Sequence, residues 1–208
     1  MTERRRTIRL PHYDYSSPGA YFVTICAHDG RFVFGEPEVC SLVEEVWNQI
    51  PRHFPNAATD EFVVMPNHVH AIVWVLEGHG VADQPSRVRP REVGAQHAAP
   101  LRYGARRTSR RAVQPGSLGA IVRSFKAAAA RRINLARGTP GLPVWQRNYY
   151  ERVVRNEGEL RHIREYIQLN PVKWQFDREN ARRVPDAAYD RQWGWLEGSV
   201  GSVVEAEP

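Results

Sequence analysis

The sequence predicts an α+β fold of the ferredoxin-like, split βαβ type, with an antiparallel sheet, helices on one face and a further C-terminal helix. Two observations predict this class. Extended apolar runs and helical periodicity alternate in the order β-α-β-β-α-β-α, and the first six of these elements match the split βαβ arrangement. The chain has 208 residues, of which 42% are hydrophobic and 25% charged, as expected for one globular domain with additions.

The first half of the chain is expected to contain three strands and one helix. Residues 21–26 follow a Ser-Pro-Gly turn signal and are rich in β-branched and aromatic side chains, which favour a strand. Apolar residues recur at helical spacing over residues 42–50, and Pro51 is expected to stop this helix. Residues 61–65 and 68–75 are predicted strands, joined into a hairpin by a Pro-Asn turn.

The texture of the sequence changes after the third predicted strand. Residues 77–115 are rich in Gly, Pro, Ala and Arg and lack periodicity, which predicts a long, mobile insertion. The net charge of the chain is +6, and eight arginines against two acids within residues 83–111 account for all of it. Such a stretch suits a polyanionic partner, such as nucleic acid or a membrane surface, but equally a solvated linker.

The second half is expected to add two helices and a fourth strand. Ser117 is placed to cap a helix whose apolar stripe runs over residues 118–133. Residues 149–154 read as extended. Asn156 is placed to cap a last helix, which Pro171 is expected to end.

Composition excludes several classes of protein. Two cysteines, Cys26 and Cys40, cannot form a disulfide scaffold or a four-thiolate metal site. No apolar run approaches the roughly 20 residues that span a bilayer, and no apolar segment follows the basic N-terminal residues. These features lead us to expect a protein of the reducing cytoplasm.

Two histidines on the third predicted strand could form half of a metal site. His68 and His70 flank one residue, and side chains at positions i and i+2 of a strand point to the same face. Two imidazoles on one face can bind a divalent metal. The alternative is a polar sheet face without a metal, because this spacing also occurs by chance.

The last predicted helix carries a tyrosine and an amide on one face. Tyr166 and Asn170 are four residues apart and therefore one turn apart. Their face is offset from the apolar stripe, so Tyr166 is expected at the margin of the core with its hydroxyl able to reach out. The alternative is a boundary aromatic residue and a helix C-terminal cap.

Four blocks of the sequence resemble those of the REP-associated tyrosine transposases, which belong to the wider group of single-tyrosine HUH transposases of bacterial insertion sequences. The blocks are residues 62–70 (FVVMPNHVH), 116–126 (GSLGAIVRSFK), 144–151 (VWQRNYYE) and 166–173 (YIQLNPVK). Apart from the insertion, the resemblance extends from about residue 13 to 174. It implies an HUH transposase domain over residues 1–175 and a C-terminal extension over 176–208.

The resemblance also implies a role for each motif residue. His68, His70 and Asn170 match the family's ligands for a divalent metal, Mg²⁺ or Mn²⁺, and Tyr166 matches its nucleophile on a catalytic helix. The implied activity is cleavage and rejoining of hairpin-associated DNA strands through a 5′-phosphotyrosine intermediate. The implied partner is single-stranded or hairpin DNA, bound by a monomer or a homodimer, with no role for a membrane.

Three basic residues near these motifs are candidates for contacts with DNA phosphates. Arg123 and Lys126 lie off the apolar stripe of the second long helix, and Arg147 precedes the fourth strand. A solvated helix face is an equally good interpretation of the first two.

Other functions remain open from the sequence. A ferredoxin-like sheet can bind single-stranded nucleic acid without catalysis by stacking bases on rings such as Phe22, Trp74 and Trp145. The histidines could serve a small zinc hydrolase, although no carboxylate base is evident next to them. Tyr149 and Tyr150 are rival nucleophiles.

Overall fold

The computed structural model describes residues 13–77 and 113–196, and within them a four-stranded antiparallel sheet in the order β2-β3-β1-β4. This is the strand order of a ferredoxin-like fold, and the α+β class is confirmed. The predicted insertion lies almost wholly outside the described residues. No helix within the described ranges is long and apolar enough to cross a membrane. The strands are β1 (Gly19–Cys26), β2 (Ala57–Met65), β3 (His68–Val75) and β4 (Tyr150–Val153).

Three long helices follow the predicted order, and two short ones are additional. The first helix ends at Asn48, before Pro51. Pro51 lies in the first turn of the short helix α2, where a missing N–H costs nothing. The helices are α1 (Pro37–Asn48), α2 (Ile50–His53), α3 (Leu118–Ala136), α4 (Glu157–Lys173) and α5 (Ala187–Trp193).

The sheet carries an apolar layer on each face. On one face, side chains such as Ala71 pack against α1 and α3. On the other face, Phe22 and Ile72 pack against α4 and α5. Because side chains alternate along a strand, His68 and His70 lie on the same face as Ile72. The site residues of β3 therefore face α4, on the side of the sheet opposite α1 and α3.

Side-chain caps begin the two longest helices as predicted. Ser117 Oγ accepts a hydrogen bond from the amide of Ala120, and Asn156 Oδ1 accepts one from the amide of Glu159 at 2.9 Å. The Asn156 side chain satisfies an amide of the first turn of α4, and the Ala120 amide also donates to the carbonyl of Ser117 at 2.9 Å. The starts of α3 and α4 are thus set locally, by the residues at which the sequence predicts them.

The predicted end of α4 at Pro171 is wrong, because the helix continues to Lys173. Proline lacks an N–H, but its φ is already close to the helical value. Near the C-terminus the loss of one backbone hydrogen bond therefore does not stop the final turn. The chain then forms a short 3₁₀ turn, Trp174–Phe176, and returns to the sheet at Asp177.

A β-bulge in β2 anchors α4 to the edge of the sheet. The register with β3 shifts between Thr59 and Phe62, which leaves Asp60 in the bulge. The Asp60 carboxylate accepts hydrogen bonds from Nε and Nη2 of Arg164 on α4, at 2.9 and 2.6 Å, and from Nε1 of Trp74 at 2.9 Å. Burial alone would raise the pKa of Asp60, but these hydrogen bonds hold it below its usual value.

The residues after α4 pack onto the same face as α4. Trp193 and Leu196 are buried in one apolar cluster with Ile163 and Tyr166. The boundary at residue 175 stays a prediction. The described part of the C-terminal extension nevertheless shares a core with the helix that precedes it.

Candidate active site

Four residues singled out from the sequence meet between β3 and α4. The Nε2 atoms of His68 and His70 are 2.9 Å apart, and the hydroxyl of Tyr166 lies 3.1 Å from Nε2 of His70. Asn170, one turn further along α4, joins the group by donating from Nδ2 to Asp177 at 2.9 Å. The side chains of these four residues and of Asp177 are all buried. The fold thus brings the predicted site residues together, while their chemical roles stay a prediction.

A carboxylate completes this cluster. Asp177 Oδ2 lies 3.8 Å from Nε2 of His68 and 3.7 Å from Nε2 of His70. Burial alone would raise the pKa of Asp177, but the adjacent imidazoles of His70 and His68 and the hydrogen bond from the Asn170 amide hold it well below its usual value. The two imidazole nitrogens and the carboxylate lie within 4.8 Å of one another and could hold a metal ion.

Sequence analysis missed Asp177: no carboxylate is evident next to the histidines in the sequence, but the fold places one there. With α4 ending at Pro171, the following residues belonged to no predicted element, so nothing placed an acid beside β3. The available signal was an acidic residue seven positions after Asn170. Spacing alone does not distinguish that residue from a surface acid.

Neighbouring side chains hold the second ring nitrogen of each histidine. Nδ1 of His68 lies 2.9 Å from Oδ1 of Asn67, and because an amide oxygen can only accept, this nitrogen carries the proton. The Asn67 amide is oriented in turn by Nδ2, which donates to the carbonyl of Glu179 at 2.7 Å. Nδ1 of His70 lies 2.9 Å from the hydroxyl of Thr24. Contacts of this kind orient imidazoles so that Nε2 can bind a metal.

The remaining donors of the cluster fit a divalent cation. Oδ1 of Asn170 is buried and has no hydrogen-bond partner among the described residues. A buried acceptor without a partner is costly unless water or an ion satisfies it. Two imidazoles together with an amide oxygen and a carboxylate combine the nitrogen and hard oxygen ligands that first-row divalent metals accept. The choice of Mg²⁺ or Mn²⁺ stays a prediction.

Tyr166 is buried rather than at the margin of the core, so that expectation is wrong. Its side chain is 2% exposed, and its ring centroid lies 5.0 Å from that of His70, 6.0 Å from that of Phe22 and 5.5 Å from that of Trp193. The face of α4 that carries Tyr166 is offset from the apolar stripe, and it would be exposed if no other element covered it. The short helix α5 covers it. The ring of Trp193 at the end of α5 is part of this cover.

The three basic candidates for DNA contacts lie on the opposite side of the sheet. Arg123, Lys126 and Arg147 line a groove of about 770 Å³ beside α3. Arg123 and Arg147 are exposed. Lys126 Nζ donates to the carbonyls of Gln146 at 2.6 Å and of Arg147 and Asn148 at 3.3 Å, and burial lowers its pKa to about 8. Contact of the three residues with DNA stays a prediction.

The rings and tyrosines of the alternative functions are mostly engaged in packing. Phe22 is fully buried and Trp145 is 8% exposed, so no base can stack on either without disrupting the core. Trp74 is partly buried. Tyr150 packs into the apolar layer between the sheet and α4, and burial raises its pKa. Tyr149 packs against the apolar layer on the other face, beside α3.

Comparison with known proteins identifies a relative and a structural neighbour. The chain is 35% identical over 182 residues to an uncharacterized protein of Haemophilus influenzae, which covers 84% of this chain and 92% of the relative. A solved structure of a REP-associated tyrosine transposase bound to a REP hairpin matches with a TM-score of 0.50 and 20% identity, over 84% of this chain and 74% of that one. No family model matches. The expected resemblance is confirmed at the level of the fold.

Proposed function

Because the chain belongs to one family with the Haemophilus influenzae protein and has the fold of a REP-associated tyrosine transposase, we propose that it is a metal-dependent DNA strand transferase. It cleaves and rejoins single-stranded or hairpin-associated DNA through a 5′-phosphotyrosine intermediate. One observation carries the proposal. The Tyr166 hydroxyl lies 3.1 Å from a histidine nitrogen that belongs to a buried cluster of metal-ligand type.

Each residue of the cluster has a part in this reaction. His68, His70, Asp177 and Asn170 would hold a divalent metal, which supplies stabilisation of the charge that develops on the scissile phosphate. The contacts of Asn67 and Thr24 with the Nδ1 atoms keep both imidazoles oriented.

Tyr166 supplies the attacking oxygen. Its Oη forms a bond to phosphorus while the bond from phosphorus to the 3′-oxygen breaks. The proton of the phenol ends on that 3′-oxygen, which leaves a 5′-phosphotyrosine and a free 3′-hydroxyl. Attack by another 3′-hydroxyl reverses the step and joins strands. Because the phosphodiester bond energy is retained in the covalent intermediate, rejoining needs no external energy source.

The direct test is detection of a covalent protein–DNA adduct. The full-length protein is incubated with Mn²⁺ or Mg²⁺ and a pool of labelled hairpin oligonucleotides whose flanking bases are randomised, so that the test does not depend on one target. Denaturing gels detect the adduct, and mass spectrometry of the linked peptide identifies the attacking residue. We expect a linkage to Tyr166 that chelation of the metal abolishes.

Two variants control this experiment. Tyr166→Phe should form no adduct, whereas Tyr150→Phe, which removes a tyrosine of the same cluster, should form it as the wild type does. An adduct on another residue would reject the assigned nucleophile. Binding of the hairpin pool without any adduct would instead favour the non-catalytic nucleic-acid-binding module.

A further inference from the structure

A row of aromatic rings leads from Tyr166 to the protein surface. Neighbouring ring centroids are 5.0 Å apart between Tyr166 and His70, 4.4 Å between His70 and His68, 5.7 Å between His68 and Trp174, and 6.1 Å between Trp174 and Phe32. The first three rings are buried, Trp174 is partly buried and Phe32 is 48% exposed. The candidate active site is thus continuous with an exposed aromatic ring.

The two outer rings come from separate parts of the chain. Phe32 follows the turn after β1, and Trp174 begins the 3₁₀ turn after α4. A single exposed phenylalanine needs no explanation. Phe32, however, contacts the ring of Trp174, which packs on His68, and about half of the Phe32 side chain is open to solvent.

A basic residue precedes each outer ring. Arg31 comes before Phe32 and Lys173 before Trp174. The Arg31 side chain is exposed and forms a loose ion pair with Asp29, at 3.8 Å. Aromatic rings next to positive charges are the usual means by which proteins bind single-stranded nucleic acid, because bases stack on the rings while the charges neutralise phosphates.

We propose, on the basis of the strand-transfer function above, that the rings of Phe32 and Trp174, which meet edge to face, contact an unpaired base next to the scissile phosphate. A phosphate held at His68 places its neighbouring base within reach of the ring that contacts His68. Bases within a duplex are stacked on one another and are not available for this contact. The site therefore takes an unpaired nucleotide of the strand and not the paired stem of a hairpin.

The test compares two probes that carry the same phosphates. One is a 20-nucleotide oligothymidylate, and the other is an oligomer of the same length built from abasic residues. Binding is measured by fluorescence anisotropy with the full chain in a Tyr166→Phe background, which prevents a covalent reaction. The variant is Phe32→Leu combined with Trp174→Leu. The control is Leu76→Ala, an exposed apolar residue beyond the opposite end of β3.

We expect the double variant to bind oligothymidylate about tenfold more weakly or worse, because stacking on an aromatic ring contributes an effect of this size. Its affinity for the abasic oligomer should not change, and the control should bind both probes as the parent does. Trp174→Phe keeps a ring and should retain most of the base-dependent affinity. Phe32→Leu alone covers the case in which loss of Trp174 impairs folding, because Phe32 is largely exposed.

Two results would overturn the proposal. Equal losses on both probes would mean that the rings act only through the fold, and an unchanged affinity for oligothymidylate would mean that no base stacks there. The adduct assay is scored separately. An adduct at Tyr166 without a base-dependent loss rejects the stacking site alone, and a base-dependent loss without an adduct rejects strand transfer alone.

Discussion

The two faces of the sheet use the same strands for different purposes. Toward α1 and α3, β3 presents the apolar side chains of Val69 and Ala71, which pack into the larger apolar core. Toward α4, the same strand presents His68 and His70, and β1 adds Thr24. These polar groups are buried but hydrogen-bonded. The α4 face therefore has fewer apolar contacts here than the opposite face. Its polar side chains are held in defined orientations by hydrogen bonds, as a reactive site requires.

The largest expected effect is the loss of metal binding on the α4 face when the Asp177 carboxylate is removed. Asp177→Asn removes the negative charge beside both imidazoles, and we expect Mn²⁺ affinity to fall about 100-fold, measured by isothermal titration calorimetry. Glu179→Gln, whose carboxylate contacts Cys26 instead, is the matched control and should bind Mn²⁺ as the wild type does. Equal Mn²⁺ affinities of Asp177→Asn and the wild type would show that Asp177 is not a ligand.

Removal of one orienting contact should have a smaller effect on the same face. Thr24→Val keeps the shape of the side chain but removes the hydroxyl partner of His70 Nδ1, and we expect metal affinity to fall about tenfold. Thr59→Val, on β2 at the bulge, should leave metal affinity unchanged. If both threonine variants behave alike, the Thr24 hydroxyl does not orient the ring.

The bulge contact should affect stability rather than metal binding. Asp60→Asn weakens the hydrogen bonds to Arg164, and we expect a loss of about 1–2 kcal/mol in the free energy of unfolding at pH 7. Because the pKa of Asp60 is depressed in the folded state, its contribution is complete above the unfolded pKa of about 3.9 and is lost as the pH falls through the folded pKa.

Urea unfolding across the acid range measures this effect. The difference in unfolding free energy between the wild type and Asp60→Asn should shrink as the pH falls below about 4. A difference that stays constant down to the lowest accessible pH would mean that the carboxylate charge does not hold α4 to the sheet.

The smallest expected effects concern the groove on the α3 face. If Arg123 contacts a phosphate, Arg123→Met should reduce the slope of log affinity against log salt concentration by about one. Lys126→Met should reduce it less, because the ammonium already donates to three backbone carbonyls. Equal slopes for Arg123→Met and the wild type would remove Arg123 from the DNA-binding residues.

Local periodicity accounts for the parts of the molecule that could be predicted. The two-residue period of β3 correctly placed His68 and His70 on one face, and the side-chain caps at Ser117 and Asn156 marked true helix starts. The position of Asp177 and the burial of Tyr166 depend instead on how the chain folds back after α4. The segment that holds Asp177 has no apolar period. The helical spacing of Tyr189, Trp193 and Leu196 indicates α5, but not that this helix packs over Tyr166.

Asn67 occupies the tight turn between β2 and β3, and both ends of its amide are engaged. Oδ1 accepts from the imidazole of His68, and Nδ2 donates to the backbone of Glu179 in the chain that returns after α4. A planar amide cannot rotate at one end without turning the other. The orientation of the His68 imidazole and the position of the chain at Glu179 are therefore coupled. A displacement of either one moves the other through the Asn67 side chain.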